Sequence, residues 1–508
     1  MQLRMWMYDL AREQAPTLDH LRTFCDMTRE AGYNAIGLYL EHRFAYASAP
    51  WAVGTGAVSA EMVQKLVSEY PEIQIVPFVN LLGHFEGMLY TEEGKRFREE
   101  RFQGMQACPS KPEFKEFALS LVDDVMKAFS SEIVHIGGDE TWQLGKCEVC
   151  SGKVKEWDDQ GLDGKAQLYS EHFAPVAQHV LAQGRRPAIW GDMLIDHPTA
   201  AEGLPKETLI FDWQYLKGTA DTSRKFAEAG FEVVGCPALH TYNATWLHIP
   251  QSEKNVRDVT SDVRSLNGYG VCVTTWENGL FGSYDTLLPA LRASGEILKG
   301  GKGDFLEHYL KASETYEEWA RLMGVELQEA GGTFAFGGIR SSLKVRLLLN
   351  GNPFLAWLYH AEEFSGQVGE RALGIAQRAL DVAPNEACKG ISLFARSAIE
   401  FVQLAEAARQ RYAAGKPEEA IAKLAITRRI FEDLERVAKR THERIGGSLA
   451  DIERCKVGRE HVERVIKRLR EHGDGSLGYL PAFEHITHHK FVAHDQAAWW
   501  LINRWANE

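Results

Sequence analysis

The sequence predicts an α/β fold, a (β/α)8 TIM barrel over residues 1–305 followed by an α-helical C-terminal domain over residues 306–508. Three observations predict it. Eight short apolar runs recur between residue 1 and about residue 300, amphipathic segments lie between them, and beyond about residue 305 long helical stripes replace the strand pattern. Eight strands alternating with helices over ~250 to 300 residues is the count and length of a closed parallel barrel.

The strand-like runs are Arg4–Tyr8, Ala35–Leu40, Ile73–Val79, Ile133–Ile136, Pro187–Trp190, Thr208–Trp213, Glu232–Cys236 and Gly270–Thr275. Between the first two, Leu18, Leu21, Cys25 and Thr28 recur at helical spacing, with Thr17 as N-cap and Gly32 as the stop. Segments 59–70, 112–129, 166–183, 221–229 and 286–298 have the same character. A doubly wound open sheet needs similar alternation but usually carries a glycine-rich phosphate turn after its first strand, where this chain has Tyr8-Asp9-Leu10-Ala11-Arg12. The barrel is therefore favoured, and it places function at the C-terminal ends of the runs, where Glu41, Asn80, His84, Asp139, Glu140, Trp190, Trp213, Tyr242 and Trp276 lie.

In the second half, Ile391, Phe394, Ala395, Ala398, Val402, Ala405 and Tyr412 form an apolar stripe that ends at Gly415, and Pro417 opens the next helix at a tolerated position. Ile421, Leu424, Phe431, Leu434 and Ala438 form another stripe, and Ile452, Cys455, Val462, Ile466 and Leu469 a third. The terminal stretch 479–508 is rich in His and Trp and reads as a segment docked by aromatic burial. The helical region is a candidate cover for the barrel mouth or a candidate homodimer contact.

A chain of 508 residues with 45% hydrophobic and 25% charged residues can bury a sizeable core. A net charge of −13 offers no electrostatic footing for nucleic acid. No apolar run is long enough to span a membrane, and the N-terminus lacks the pattern of a secretion signal. Eight cysteines in so long a chain are expected to be mostly reduced, so a cytoplasmic location is expected. Cys147-x-x-Cys150, which Cys108 could approach, is open to two readings, a structural metal site or free thiols. No cofactor and no catalytic metal is expected.

The chemistry concentrates in Ile133-Val-His135-Ile-Gly-Gly-Asp139-Glu140-Thr-Trp142, where a short strand runs through two glycines into adjacent carboxylates. This string resembles the signature of the β-N-acetylhexosaminidases of glycoside hydrolase family 20, and the resemblance extends through the barrel. Arg4-Met-Trp-Met-Tyr-Asp9-Leu-Ala-Arg12 matches that family's Arg-x-x-Met-x-Asp-x-x-Arg spacing, which implies that Arg4 grips the sugar's 3- and 4-hydroxyls. Pro77-Phe-Val-Asn80-Leu-Leu-Gly83-His84 is similar to Pro-Glu-x-Asp-x-Pro-Gly-His, with His84 then beside the catalytic Glu; Asn80 and Leu82 depart from it. Glu41 stands where better-known members carry an Asp-Asp pair, a departure similar to the intracellular, hexosaminidase D-like branch. The resemblance further implies a tryptophan-walled pocket of Trp190, Trp213 and Trp276, with Glu277, Tyr242 and Asn243 as further substrate contacts.

Consecutive Cα atoms lie ~3.8 Å apart with diverging side chains, so Asp139 and Glu140 are poorly placed as a nucleophile and acid flanking one glycosidic bond. The resemblance implies substrate-assisted hydrolysis instead, in which the 2-acetamido oxygen attacks to give an oxazolinium ion. Asp139 would orient the acetamide, and Glu140 would serve as acid and then base. The expected activity is retaining exo-hydrolysis of terminal β-linked GlcNAc or GalNAc, with an oligosaccharide or small glycoside as partner. The alternatives are a non-catalytic amino-sugar-binding protein on the same barrel, or another glycosidase specificity. A metal-dependent barrel hydrolase would want a His-x-His cluster on the first strand, which is missing here.

Overall fold

The computed structural model describes all residues except 13, 102–103, 242–243, 277–283, 332–352, 355–356, 358–363, 365, 448 and 475–508. Its centre is a closed, all-parallel barrel in sequential strand order: β1 (Leu3–Asp9), β2 (Ala35–Tyr39), β3 (Gln74–Phe78), β4 (Ile133–His135), β5 (Arg186–Trp190), β6 (Leu209–Trp213), β7 (Val233–Cys236) and β8 (Gly270–Thr275). Closure joins β1 to β8 in a register running from Leu3 opposite Gly270 to Tyr8 opposite Thr275. All eight expected runs are strands, shifted by no more than a residue or two at their ends. Helix Leu18–Ala31 is capped as its sequence predicts, with Thr17 accepting from His20 N and Gly32 left-handed at φ 83°. The helix Ile249–Ser265 was not singled out by its sequence.

Side-chain alternation sorts each strand into two faces. On β1, Trp6 and Tyr8 face helix Leu18–Ala31, where Phe24 meets both rings edge-on and Thr28 Oγ1 accepts from Trp6 Nε1 at 2.7 Å. The intervening Met5, Met7 and Asp9 therefore face the barrel interior. On β6, Asp212 turns outward to Thr222 and Ser223, leaving Phe211 and Trp213 inside. The interior is filled by an aromatic cluster: Phe78 stacks on His135 at 4.3 Å, and Trp190 and Phe211 lie 4.5 and 4.8 Å from the same imidazole. Gly37 on β2 makes room for it, since a Cβ there would stand 2.5 Å from the Phe78 ring.

The chain divides into two compact units. The first comprises 1–239, 251–275 and 291–303, and the second 240–250, 276–290 and 304–508. In that unit the helices Phe305–Ala312, Glu314–Arg321, Gln367–Asp381, Glu386–Ala413, Pro417–Ile445 and Leu449–His472 follow one another. Their apolar stripes are buried as the sequence predicts, with Phe394, Ala398, Leu424, Phe431, Cys455 and Val462 at or near zero exposure. Trp319 is also buried, and its Nε1 donates to Ser392 Oγ at 2.8 Å. Among the described residues, no helix is long and apolar enough to cross a membrane. The segment 479–508 lies outside the described residues.

Candidate active site

The mouth of the barrel is built where the inward register of each strand continues into its loop. Phe78 leads to Asn80, His135 to Gly137 and Asp139, and Tyr39 closes β2 on the same side. After β4, Gly137 (φ 78°) and Gly138 (φ 99°) take backbone conformations that side chains resist. A Cβ at Gly138 would meet the Tyr169 hydroxyl at 2.4 Å, the same hydroxyl that donates to Gly138 O at 2.8 Å. The turn sets the two carboxylates in different surroundings, with Asp139 buried and Glu140 part-exposed. Glu140 has φ 47°, and two other mouth residues, His84 (φ 48°) and Glu41 (φ 40°), share this strained left-handed region. Strain at three non-glycine residues around one opening accords with a site held by its surroundings.

His84 joins the acid pair. Its Nε2 lies 2.8 Å from Glu140 Oε2 and 3.6 Å from Asp139 Oδ2, and its Nδ1 is 3.8 Å from Glu86 Oε1. Burial works against its charge, but Asp139, Glu140 and Glu86 outweigh it and hold His84 well above the ordinary histidine value. Burial pushes Asp139 up to about 6, with His84 and Arg12 opposing and Glu140 reinforcing the rise. Asp139 Oδ1 is buried without a hydrogen-bond partner among the described residues.

A third carboxylate completes the group. Asp192 Oδ2 accepts from Glu140 N at 2.9 Å and its Oδ1 from Trp213 Nε1 at 3.2 Å, so it holds the acid loop and the indole together. Burial, then the charge of Asp139, pushes Asp192 up to about 7. Trp213 also stacks on Tyr215 at 5.0 Å. Glu41 Oε1 accepts from Gly87 N at 2.6 Å, which fixes the loop that carries His84 and Glu86.

Two residues expected in the pocket lie elsewhere. Arg4 is at the opposite end of β1 and on its outward face, with Nε donating to Gly32 O at 2.8 Å. Five residues of strand, at ~3.3 Å each, separate it from Asp9 at the mouth. The second arginine of the same motif, Arg12, is at the mouth instead, paired with Asp9 at 3.2 Å and lying over the Tyr39 ring. Burial opposes its charge, but Asp9, Tyr39, Glu41 and Glu86 reinforce it. Trp190 is fully buried in the aromatic cluster below the mouth, so it supports the floor and forms no wall. Trp276 directly follows β8 and accepts from Thr241 Oγ1 at 2.5 Å through its carbonyl. Tyr242, Asn243 and Glu277 lie outside the described residues. Arg12 and Asp192 carry no role in the sequence reading, although Arg12 stands in the first-strand motif and Asp192 follows Trp190 by two residues.

The arrangement can hold a proton between Glu140 and His84, present a buried anionic acceptor at Asp139, and offer a guanidinium beside them. Among the described residues, the grouping with metal-ligand geometry is Glu99 with Cys108, Cys147 and Cys150, and it includes neither Asp139 nor Glu140.

Comparison with known proteins bears on the same region. The profile described as glycosyl hydrolase family 20, catalytic domain, matches residues 62–325. Hexosaminidase D of Bos taurus is 26% identical over 230 residues, 42% of this chain and 65% of that protein. A probable beta-hexosaminidase of Arthroderma benhamiae is 26% identical over 165 residues, 31% of this chain and 26% of that one. The chain thus spans somewhat under two thirds of the first curated relative and about a quarter of the second. The crystal structure of a beta-N-acetylhexosaminidase from Bacteroides fragilis aligns with a TM-score of 0.49 at 18% identity, covering 61% of this chain and 70% of that one.

Proposed function

The chain belongs to glycosyl hydrolase family 20, and from that premise we propose that it is a retaining exo-β-N-acetylhexosaminidase that removes terminal β-linked GlcNAc or GalNAc by substrate-assisted catalysis. The observation that carries this reading is the contrast within the acid pair: Asp139 presents a buried, unpartnered oxygen, while its neighbour Glu140 shares a 2.8 Å contact with His84. A carboxylate of the first kind suits an acetamide N–H, and one of the second kind suits proton transfer.

In the proposed reaction the acetamide oxygen attacks the anomeric carbon as Glu140 protonates the leaving oxygen. Asp139 accepts the acetamide N–H and its charge stabilises the oxazolinium ion. Glu140 then takes a proton from water, which opens the ring with retention. His84 keeps the Glu140 carboxyl oriented through their 2.8 Å contact, while Glu140 itself gives one proton to the leaving oxygen and regains one from water. Arg12, not Arg4, is assigned to the sugar's hydroxyls, because forked donors suit paired oxygens and its guanidinium stands at the mouth. Asp192 and Glu41 position the acid loop and the His84 loop, and Trp213 offers an apolar face to the ring. Trp276, Tyr242 and Glu277 remain proposed substrate contacts on their position after β7 and β8.

Turnover of 4-nitrophenyl β-glycosides of GlcNAc, GalNAc and glucose tests the reading. The first two should be hydrolysed and the glucoside very poorly, since it lacks the internal nucleophile. Glu140→Gln should lose far more activity on poor leaving groups than on activated aryl glycosides. Efficient cleavage of the plain glucoside would overturn substrate assistance, and no turnover of any of the three would favour a sugar-binding protein.

A further inference from the structure

Three cysteines and a glutamate that the proposed reaction does not use converge beside the acid loop. Cys108 Sγ lies 3.6 Å from Cys147 Sγ and 3.5 Å from Cys150 Sγ, and Glu99 Oε2 lies 3.4 Å from Cys150 Sγ. All four donor atoms fall within 4.8 Å of one another. A tetrahedral zinc ion with Zn–S ~2.3 Å and Zn–O ~2.0 Å has edges of roughly 3.8 Å between sulfurs and 3.5 Å between sulfur and oxygen, so these separations are those of a ligand shell. They are far too long for a disulfide, whose sulfurs stand ~2.05 Å apart, and all three thiols are free.

The backbone explains how the donors meet. A short antiparallel pairing, with Arg98 opposite Ala107, Glu99 N donating to Gln106 O at 3.0 Å and Cys108 N to Phe97 O at 2.7 Å, puts Glu99 and Cys108 diagonally across it on one face. Cys147 caps the N-terminus of helix Glu148–Asp159 and Cys150 lies in its first turn, so the Cys-x-x-Cys spacing turns both thiols toward the pairing. Cys150 N donates to Cys147 Sγ at 3.4 Å. Glu99 is oriented as a one-oxygen ligand: Oε1 accepts from Lys146 N and Cys147 N at 2.8 and 2.9 Å, which leaves Oε2 facing the sulfurs. Glu99, Cys108 and Cys150 are buried, and no lysine or arginine side chain pairs with Glu99 among the described residues. A buried carboxylate among thiols without a cation is costly to fold.

We propose that Glu99, Cys108, Cys147 and Cys150 form a tetrahedral structural zinc site that fastens the loop carrying His84 to the loop carrying Asp139 and Glu140. Binding converts the three thiols to thiolates and releases their protons to solvent, with no change of oxidation state. Three soft sulfurs and one oxygen suit zinc and leave no open position for a reacting water. The mechanical consequence follows from the neighbours. Gln106 and Gln143 exchange backbone-to-side-chain hydrogen bonds at 3.1 and 3.0 Å, and Ala107 N donates to Leu82 O at 3.0 Å. The site thus lies within a few residues of both His84 and Glu140.

The test uses the full chain purified without chelators, added metal or a histidine tag. Elemental analysis should find about one zinc per chain, retained in Cys25→Ser and lost from Cys108→Ser. Cobalt exchanged into the wild type should produce thiolate charge-transfer absorption. Should Cys108→Ser fail to fold, Glu99→Gln supplies a second measurement: zinc transfer to a competing chromophoric chelator should be at least ~10-fold faster than from the wild type. Fewer than about 0.1 zinc per chain with no rise in Tm on adding zinc would overturn the site. So would a disulfide among these cysteines, or unchanged zinc retention in both variants. None of these readings depends on turnover, so the site stands or falls apart from the proposed reaction.

Discussion

At the scale of single residues, Asp139, His84 and Arg12 carry the sharpest expectations. If Asp139 must be ionised to stabilise the oxazolinium ion, its raised value of about 6 makes kcat/KM fall as pH drops through that region. Asp139→Asn should lower kcat far more than it raises KM; near-normal turnover with altered stability would reduce Asp139 to a structural role. Stability has a related dependence. Asp139 and Asp192 bind protons in the folded state that they lose when unfolded above about pH 4, and His84 does the same above about 6.5. Excess protons on the folded state mean that stability falls as pH rises, so these groups should make Tm decline from about pH 4 upward and His84→Asn should flatten the part above about 6.5. Identical slopes in variant and wild type would refute the assignment of that charge. Arg12→Ala should cost roughly 10²-fold in kcat/KM, about 3 kcal/mol, whereas Arg4→Ala should lose only a hydrogen bond worth ~1 kcal/mol of stability. The reverse ranking would restore Arg4 to the site.

At the scale of elements, the β4 turn is the critical connection. Gly138→Ala adds a methyl against Tyr169 and Ile189 and imposes a side chain at φ 99°. It should destabilise by about 1–3 kcal/mol and displace Asp139 and Glu140, with activity lost beyond what unfolding explains. Gly161→Ala, left-handed as well at φ 78° but with nothing within 4 Å, should cost ~1 kcal/mol and leave activity intact. Urea unfolding with parallel assays separates the two; equal behaviour would mean that the contacts at Gly138 do not matter. His135 explains part of the turn's rigidity: its Nδ1 accepts from Gly137 N at 3.1 Å while Phe78 stacks on its ring and Trp190 packs against it at a tilt. Burial holds that imidazole well below the ordinary value, so it stays neutral and keeps the acceptor.

At the scale of the whole molecule, the second unit buries its own core and presents apolar side chains at Leu310, Val368 and Ile426. We propose the helical region as a homodimer contact. Light scattering across a concentration series should find a dimer that Val368→Glu and Ile426→Glu weaken, and a monomer at every concentration would refute it.

By itself the sequence determined the eight strands, the stripes of the long helices, the cap at Thr17, the helix start at Pro417, and the acid pair after β4. These follow from local periodicity and from residues such as Gly137 and Gly138 whose backbone demands show in a short window. The tertiary structure decided which residues share the mouth. Arg4 and Arg12 belong to one motif, yet strand alternation and rise send Arg4 outward at the base and leave Arg12 at the opening. Trp190 and Trp213 both end strands, but the packing of Phe78, His135 and Phe211 encloses the first while Asp192 holds the second by its indole N–H. The elevated Asp139 and Asp192 values arise from burial, reinforced at Asp192 by the charge of Asp139, and the bond from Glu140 N to Asp192 that joins their loops spans 52 residues, more than any short window of sequence contains. Cys147-x-x-Cys150 was visible as a spacing with Cys108 as a candidate third thiol; only the fold brought Glu99 to them.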